Sequence, residues 1–283
     1  MKNIYTILTP ELFSLYGDAI VQKQVVVIDV LRATTSMVVM LENGAKRVIP
    51  VASLDQARVW GEKGCLMAGE RNGFKVEGFD FGNSPQEFTI DKVGGKSVVM
   101  TTTNGTHALS LCQMAKSVYV GAFLNCAVTC DALMNEEGDI YLLCSGWKGF
   151  FNLEDTLLAG AMAASLSQMG AKVADDATRA AIRLWNQAKT DVAGFLSDAN
   201  HVQRFQSMHA ESDLDVCLKI DTSNLGNNYR LLQTQYDKMV IQNEALETVF
   251  DKLRIAGAKE TGLLQAELEG KNIELQRKED ALT

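Results

Sequence analysis

VVVIDVLRATTSMVVMLENGAKRVIPV, residues 25–51, decides the fold class. Val25–Val30 is a short apolar run, β-branched at every position but Asp29, the pattern of a strand covered on both faces. A polar turn with threonines follows, then a helical stretch at Thr34–Asn43, a C-terminal glycine at Gly44 and a second strand at Arg47–Val51. The same order recurs at Ser97–Val120, and a third strand and turn at Ile140–Gly149 leads into a helix at Asn152–Glu154. Further strands are expected at Ser97–Met100, Ser117–Val120 and Ile140–Cys144. Further helices are expected at Leu54–Lys63, His107–Met114, Ala127–Asn135, Glu154–Met169 (closed by Gly170) and Asp175–Trp185. Alternation of this kind predicts a three-layer α/β/α domain with a mostly parallel, mixed sheet over residues 1–221. Polar loops after the strands then mark where a ligand binds, because open α/β sheets bind at the carboxyl ends of their strands.

Residues 222–283 read differently. Tyr229, Tyr236, Asn243 and Phe250 fall at heptad position a, with Leu232, Met239, Leu246 and Leu253 at d. This predicts a helical, coiled-coil-like tail and a homo-oligomer.

The 283 residues are 47% apolar and 22% charged, enough to bury a core without disulfides. No run approaches the ~20 apolar residues of a membrane span, and MKNIYTILTP lacks the pattern of a secretory leader. A cytoplasmic protein is expected, and the six scattered cysteines suit free, buried thiols. A formal charge of −8 argues against nucleic acid or an anionic membrane as partner, and three scattered histidines argue against structural zinc.

Five polar clusters carry the candidate chemistry. Thr101–Thr106 supplies hydroxyls, an amide, Gly105 and a helix start, so Thr103, Asn104, Gly105 and Thr106 are candidates for a phosphate cradle, with Asn83 and Ser84 of the Gly78–Pro85 loop beside them. Arg32 and Arg71 can clamp oxygens bidentately. Asp29, Asp80, Glu154 and Asp155, with Glu70 close behind, offer the hard carboxylate oxygens that Mg²⁺ takes. Oxyanion clamps beside carboxylates suggest attack on a phosphate ester, with Asp29, Arg32, Glu70 and Arg71 as the catalytic set. Plainer readings stand beside these: Asn152 and Asn104 as helix caps, and Asp29 paired with Arg32. Cys144 ends a strand but has no basic neighbour in sequence to activate it.

Together VVVIDVLRATTSMV (Val25–Val38), AGERNG (Ala68–Gly73), GFDFGNSP (Gly78–Pro85), TTTNGT (Thr101–Thr106), GAFLN (Gly121–Asn125) and LEDTLLAG (Leu153–Gly160) resemble the 2-phosphosulfolactate phosphatase (ComB-like) family over about residues 1–221. The resemblance implies a Mg²⁺-dependent phosphomonoesterase that hydrolyses 2-phosphosulfolactate, a small anionic phosphoester, to sulfolactate and phosphate, in coenzyme M or sulfolactate metabolism. The chain departs from the family after Asp221, where a short Val-Pro segment gives way to Thr222-Ser223-Asn224 and the heptads. Two other functions fit the residues: a phosphatase of another small 2-phospho acid, and a non-catalytic anion-binding assembly protein that uses the coiled coil.

Overall fold

The computed structural model describes residues 1–207 and 210–223. The heptad pattern, the C-terminal tail and the oligomer inferred from it lie outside the described residues. The chain forms β1 (Asn3–Ile7), β2 (Gln24–Ile28), α1 (Ala33–Glu42), β3 (Arg47–Pro50), α2 (Leu54–Glu62), β4 (Leu66–Arg71), β5 (Phe74–Lys75), α3 (Ile90–Val93), β6 (Ser97–Thr101), α4 (Gly105–Leu111) and β7 (Ser117–Gly121). It continues through α5 (Cys126–Asn135), β8 (Ile140–Cys144), α6 (Leu153–Gln168), β9 (Lys172–Val173), α7 (Asp176–Ala188), α8 (Val192–Phe195), α9 (Asn200–Ser207) and α10 (Glu211–Cys217).

The strands divide into two sheets. The first is wholly parallel, in the order β7-β2-β8-β1-β9, with Val26 between Tyr119 and Leu142. The second runs β3-β6-β4-β5, parallel except for the short β4–β5 hairpin. Parallel pairing with helices on the faces is the architecture the alternation predicts. The split into two sheets follows from where the connections lead. The unit β2-α1-β3 leaves the first sheet for the second, and β6-α4-β7 returns, so the repeated order seen in sequence is two crossovers in opposite directions.

Burial explains the composition of the elements. All five residues of β2, β7 and β8 are buried, which is why these strands read as continuous apolar runs. Helix α6 is apolar nearly all round because it lies between the first sheet and α7. Its Gly160 permits the close approach: a Cβ there would lie 2.1 Å from the carbonyl oxygen of Ala181 on α7. Helix α1 buries Ala33–Val38, Met40 and Leu41, packing on β7 and β3 and so joining the two sheets. Both sheets therefore present their carboxyl-end loops near the start of α1. No helix among the described residues is long and apolar enough to cross a membrane.

Candidate active site

A cleft opens at those strand ends. Asp29 and Arg32 line it from the turn after β2, Glu70 and Asn72 from the end of β4, and Thr102, Thr103 and Asn104 from the turn after β6. Trp147 and Lys148 enter from the turn after β8, and His201, Arg204 and Phe205 from α9. The space is about 560 Å³ counted with its open mouth.

Asp29 sits on the floor and is fixed by the residues that start α1. Its Oδ1 accepts the Ala33 N–H at 3.1 Å, and its carbonyl oxygen accepts the Thr34 N–H at 3.1 Å and the Thr34 hydroxyl at 2.8 Å. Such local side-chain bonds are what the Asp-x-x-x-Ala-Thr spacing provides. Its other oxygen, Oδ2, accepts no hydrogen bond among the described residues. Burial pushes the Asp29 carboxyl up from 3.8 to about 6, with Glu70 and Glu154 adding to the rise while Ala33 N–H and His201 oppose it. Gly105 at the start of α4 has no room for a side chain, since a Cβ would lie 2.6 Å from Ala33 Cβ and 2.7 Å from Asp29 Oδ2. Glycine there lets α4 approach the aspartate.

The other carboxylates do different jobs. Glu70 spends both oxygens on backbone: Oε1 accepts the Thr103 N–H at 2.8 Å and Oε2 the Gly73 N–H at 2.6 Å. It thereby ties the β4–β5 turn to the turn after β6. Asp155 is buried and does not line the cleft. Its Oδ1 accepts the Val30 N–H at 2.8 Å and its Oδ2 the Gly146 N–H at 3.1 Å, which joins the loops after β2 and β8. Burial, then Glu154 and Asp29, hold its carboxyl well above the ordinary range. Glu154, fully buried beside it, accepts from Asn152 Nδ2 at 2.9 Å through Oε1, and that oxygen lies 2.6 Å from His201 Nδ1. Asp80 stands apart from the cleft: it is exposed, and its Oδ2 accepts the Met67 N–H at 2.7 Å. Among the described residues no three His, Cys, Asp or Glu side chains converge into a ready-made metal cage.

Arg32 lines the cleft, but its partner is not Asp29. It forms a buried ion pair with Asp213 of α10 and lies over the Phe205 ring at 5.0 Å. Pairing with Asp29 was the nearer choice in sequence, yet Asp29 is already turned toward the start of α1. Asp213 Oδ1 also accepts the Ser84 hydroxyl at 2.5 Å and Gln86 Nε2 at 3.2 Å, so Ser84 stands behind Arg32 and outside the cleft lining. Asn83 does reach the cleft, and its Oδ1 is buried without a partner among the described residues. Arg71 turns instead toward β6, with Nη1 donating to Glu70 O at 2.7 Å and Nη2 to Thr101 Oγ1 at 3.1 Å.

The Thr101–Thr106 turn is partly self-satisfied. The Thr102 N–H donates to Thr106 Oγ1 and the Thr106 N–H to Thr102 Oγ1, at 3.1 and 3.2 Å. Thr103 and Asn104 face the cleft while Gly105 and Thr106 lie behind it. Neither asparagine caps its helix with a side chain. Asn104 Oδ1 accepts the Lys148 N–H at 3.3 Å, and Asn152 spends its amide on Glu154 and Asp155, at 2.9 Å each. Cys144 is wholly buried, and burial raises its thiol well above the usual range, so it offers no nucleophile to the cleft.

Sequence reasoning missed His201, Arg204, Phe205, Asp213 and Trp147. His201 stacks on Trp147 at 5.8 Å and meets Phe205 edge-on at 5.3 Å. The signal was faint: His201, Arg204 and Phe205 stand at i, i+3 and i+4, one face of a helix.

Residues 8–229 match the family model for 2-phosphosulpholactate phosphatase. The chain belongs to that family. It is 36% identical over 204 residues to the "Probable 2-phosphosulfolactate phosphatase" of Caldanaerobacter subterraneus subsp. tengcongensis, covering 71% of this chain and 85% of that one. The protein of the same name from Synechococcus sp. strain WH7803 is 41% identical over 202 residues, 69% of this chain and 82% of the relative. That from Clostridium acetobutylicum is 34% identical over 218 residues, 75% and 92%. The 2-phosphosulfolactate phosphatase family is one of phosphoric monoester hydrolases, which places the chain among enzymes. Asp29, Arg32, Glu70, Asn83, Thr103 and Asn104, drawn from four of the six sequence blocks, line one cleft.

Proposed function

We propose that this protein is a Mg²⁺-dependent phosphomonoesterase that hydrolyses 2-phosphosulfolactate to sulfolactate and phosphate. The observation that carries the reading is that one cleft at the strand ends is lined both by a buried Asp29, one of whose oxygens has no hydrogen bond among the described residues, and by the buried Arg32. Relatives bearing the name of that activity support the choice of ester.

The donor set suits magnesium, which binds through one or two carboxylates and retains several waters. Asp29 through Oδ2 would hold it, with Asn83 Oδ1 as a neutral oxygen in the same cleft. A cation there would also relieve the cost of keeping a carboxylate buried beside Glu70 and Glu154. When bound it would neutralise charge on the phosphoryl oxygens.

The protein's own groups do the rest. Arg32, aimed by Asp213, supplies a planar fork of donors for phosphoryl oxygens. Thr103 and Asn104 bound the same space, and Glu70 fixes the Thr103 backbone. The attacking group is water. His201, with Nδ1 engaged by Glu154, keeps Nε2 to take a proton from that water and return one to the departing alkoxide oxygen. The Trp147 and Phe205 rings limit solvent around this histidine.

The test is phosphate release from racemic 2-phosphosulfolactate by the full-length protein, with Mg²⁺ and with EDTA. Release that requires the metal is expected. Absence of release from this ester with Mg²⁺ present would overturn the reading.

A further inference from the structure

Trp147 carries two cations on its indole. Lys148 Nζ lies 5.3 Å and Arg204 Cζ 5.4 Å from the ring centre, and both side chains line the cleft that holds Asp29 and Glu70. They come from separate elements, the turn after β8 and helix α9. Each is anchored. Trp147 and Phe150 exchange backbone hydrogen bonds at 2.9 and 3.0 Å around a tight turn whose central residues, Lys148 and Gly149, have φ of 52° and 82°. Positive φ at both central positions favours Asn, Asp or Gly at the first of them. A lysine is kept there at a cost in backbone strain of about 1–3 kcal/mol. The Lys148 N–H bonds Asn104 Oδ1 at 3.3 Å, which pins this turn to the one after β6. Arg204 donates to the carbonyl oxygen of Asn72 and so spans from α9 to the β4–β5 turn.

The charge distribution gives this pair a purpose. The charge of Arg32 is matched by Asp213. Lys148 makes no ion pair among the described residues. Both residues border the same cleft and both rest on one ring, so an anionic group seated beside Trp147 meets cations supplied by two separate elements. The cleft therefore has an acidic floor at Asp29 and Glu70 and a basic wall at Trp147.

We propose that Lys148 and Arg204 form a subsite for a second anionic group, a carboxylate or sulfonate borne near the ester carbon, and so select phosphomonoesters with more than one negative group. The proposal rests on the phosphatase reading of the same cleft. It adds Arg204, which no sequence motif marks, and assigns to Lys148 a task distinct from phosphate binding.

The experiment compares the full-length protein with Lys148→Ala, Arg204→Ala and Arg204→Lys on two esters, 2-phosphosulfolactate and isopropyl phosphate. The second keeps the secondary ester carbon and lacks the extra anions. Loss of one charge-assisted contact lowers kcat/KM for 2-phosphosulfolactate about 10- to 100-fold, mainly through KM, with a several-fold smaller loss on isopropyl phosphate. Arg204→Lys recovers most of the loss. Equal losses on both esters, or no loss on either, overturn the subsite. Binding of sulfolactate, measured by calorimetry, reads the subsite without turnover. If the wild type releases no phosphate yet binds sulfolactate, and the alanine variants weaken that binding, the subsite stands and the phosphatase reading falls. If sulfolactate binding is the same in all four proteins, the subsite falls whatever the turnover.

Discussion

Replacing Asp29 by asparagine should abolish phosphate release and, at neutral pH, make the protein more stable. Asp29 is buried, and its carboxyl titrates at about 6 instead of 3.8, chiefly because burial penalises its charged form. A folded-state pKa raised above the unfolded value means that the folded protein binds the proton more tightly. Stability therefore falls as pH rises from about 4 to about 6 and stays reduced above that. The difference corresponds to about 3 kcal/mol at neutral pH. Asparagine avoids this cost and keeps an oxygen to accept the Ala33 N–H. For a domain of this size the gain amounts to roughly 6–12 °C in Tm, at about 2–4 °C per kcal/mol.

The assay is thermal unfolding of wild type and Asp29→Asn in EDTA, at pH 4 and pH 7.5, on either side of the sequence pI of about 5.0. Melting temperatures should nearly coincide at pH 4 and separate in favour of the variant at pH 7.5. Adding Mg²⁺ at pH 7.5 should narrow the gap by raising the wild type, because only the carboxylate offers the cation a charge. A variant that melts below wild type at pH 7.5, or a gain equal at both pH values, would refute the electrostatic reasoning and leave Asp29 as an ordinary hydrogen-bonded side chain.

Two further substitutions probe the frame around this floor. Glu70→Gln retains one acceptor oxygen where two backbone N–H groups, of Gly73 and Thr103, need one each; urea unfolding should show a loss of about 1–3 kcal/mol, accompanied by slower phosphate release. Gly105→Ala drives a methyl group to within 2.7 Å of both Ala33 Cβ and Asp29 Oδ2; overpacking should cost about 1–3 kcal/mol in the same measurement, with turnover falling further than stability alone explains because the methyl group displaces the aspartate itself.

The fold class was legible because its signal is local. The runs that form β2, β7 and β8 are buried on both faces, so each strand declares itself without reference to its neighbours. Strand β1 alternates half-buried and buried residues, Asn3-Ile4-Tyr5-Thr6, and gave no comparable run. The division into two sheets had no signature, because a crossover that returns to its own sheet and one that enters another use the same strand-helix-strand pattern. The half of the site built from strand ends was legible for the same local reason: Asp29, Arg32, Glu70, Thr103 and Asn104 sit where turns follow apolar runs. The half supplied by residues 201–213 was not. His201 and Arg204 meet the cleft, and Asp213 backs Arg32, only because α9 and α10 fold back across the strand ends, some 50 to 180 residues from their partners Glu154, Asn72 and Arg32.

Polar residues at the end of a strand mark a site, but they do not reveal whether a given side chain faces the ligand or supports one that does. Asp29 and Asp155 are alike in type, burial and raised pKa. What separates them is hydrogen bonding. Both oxygens of Asp155 are taken by the N–H groups of Val30 and Gly146, so its charge holds two loops together. One oxygen of Asp29 is taken, and the other accepts no hydrogen bond among the described residues. The same distinction sorts the basic residues: Arg71 is turned onto Thr101 and the Glu70 carbonyl, whereas Arg32, braced by Asp213 (itself held by the Ser84 hydroxyl), still borders the cleft. A cleft that must present a few unsatisfied charges needs a larger number of satisfied ones behind them, because a buried carboxylate or guanidinium without such support is too costly to hold in position. The dense Asp, Glu, Asn and Thr content of these loops is therefore the expected composition of a small reactive surface together with its supporting shell.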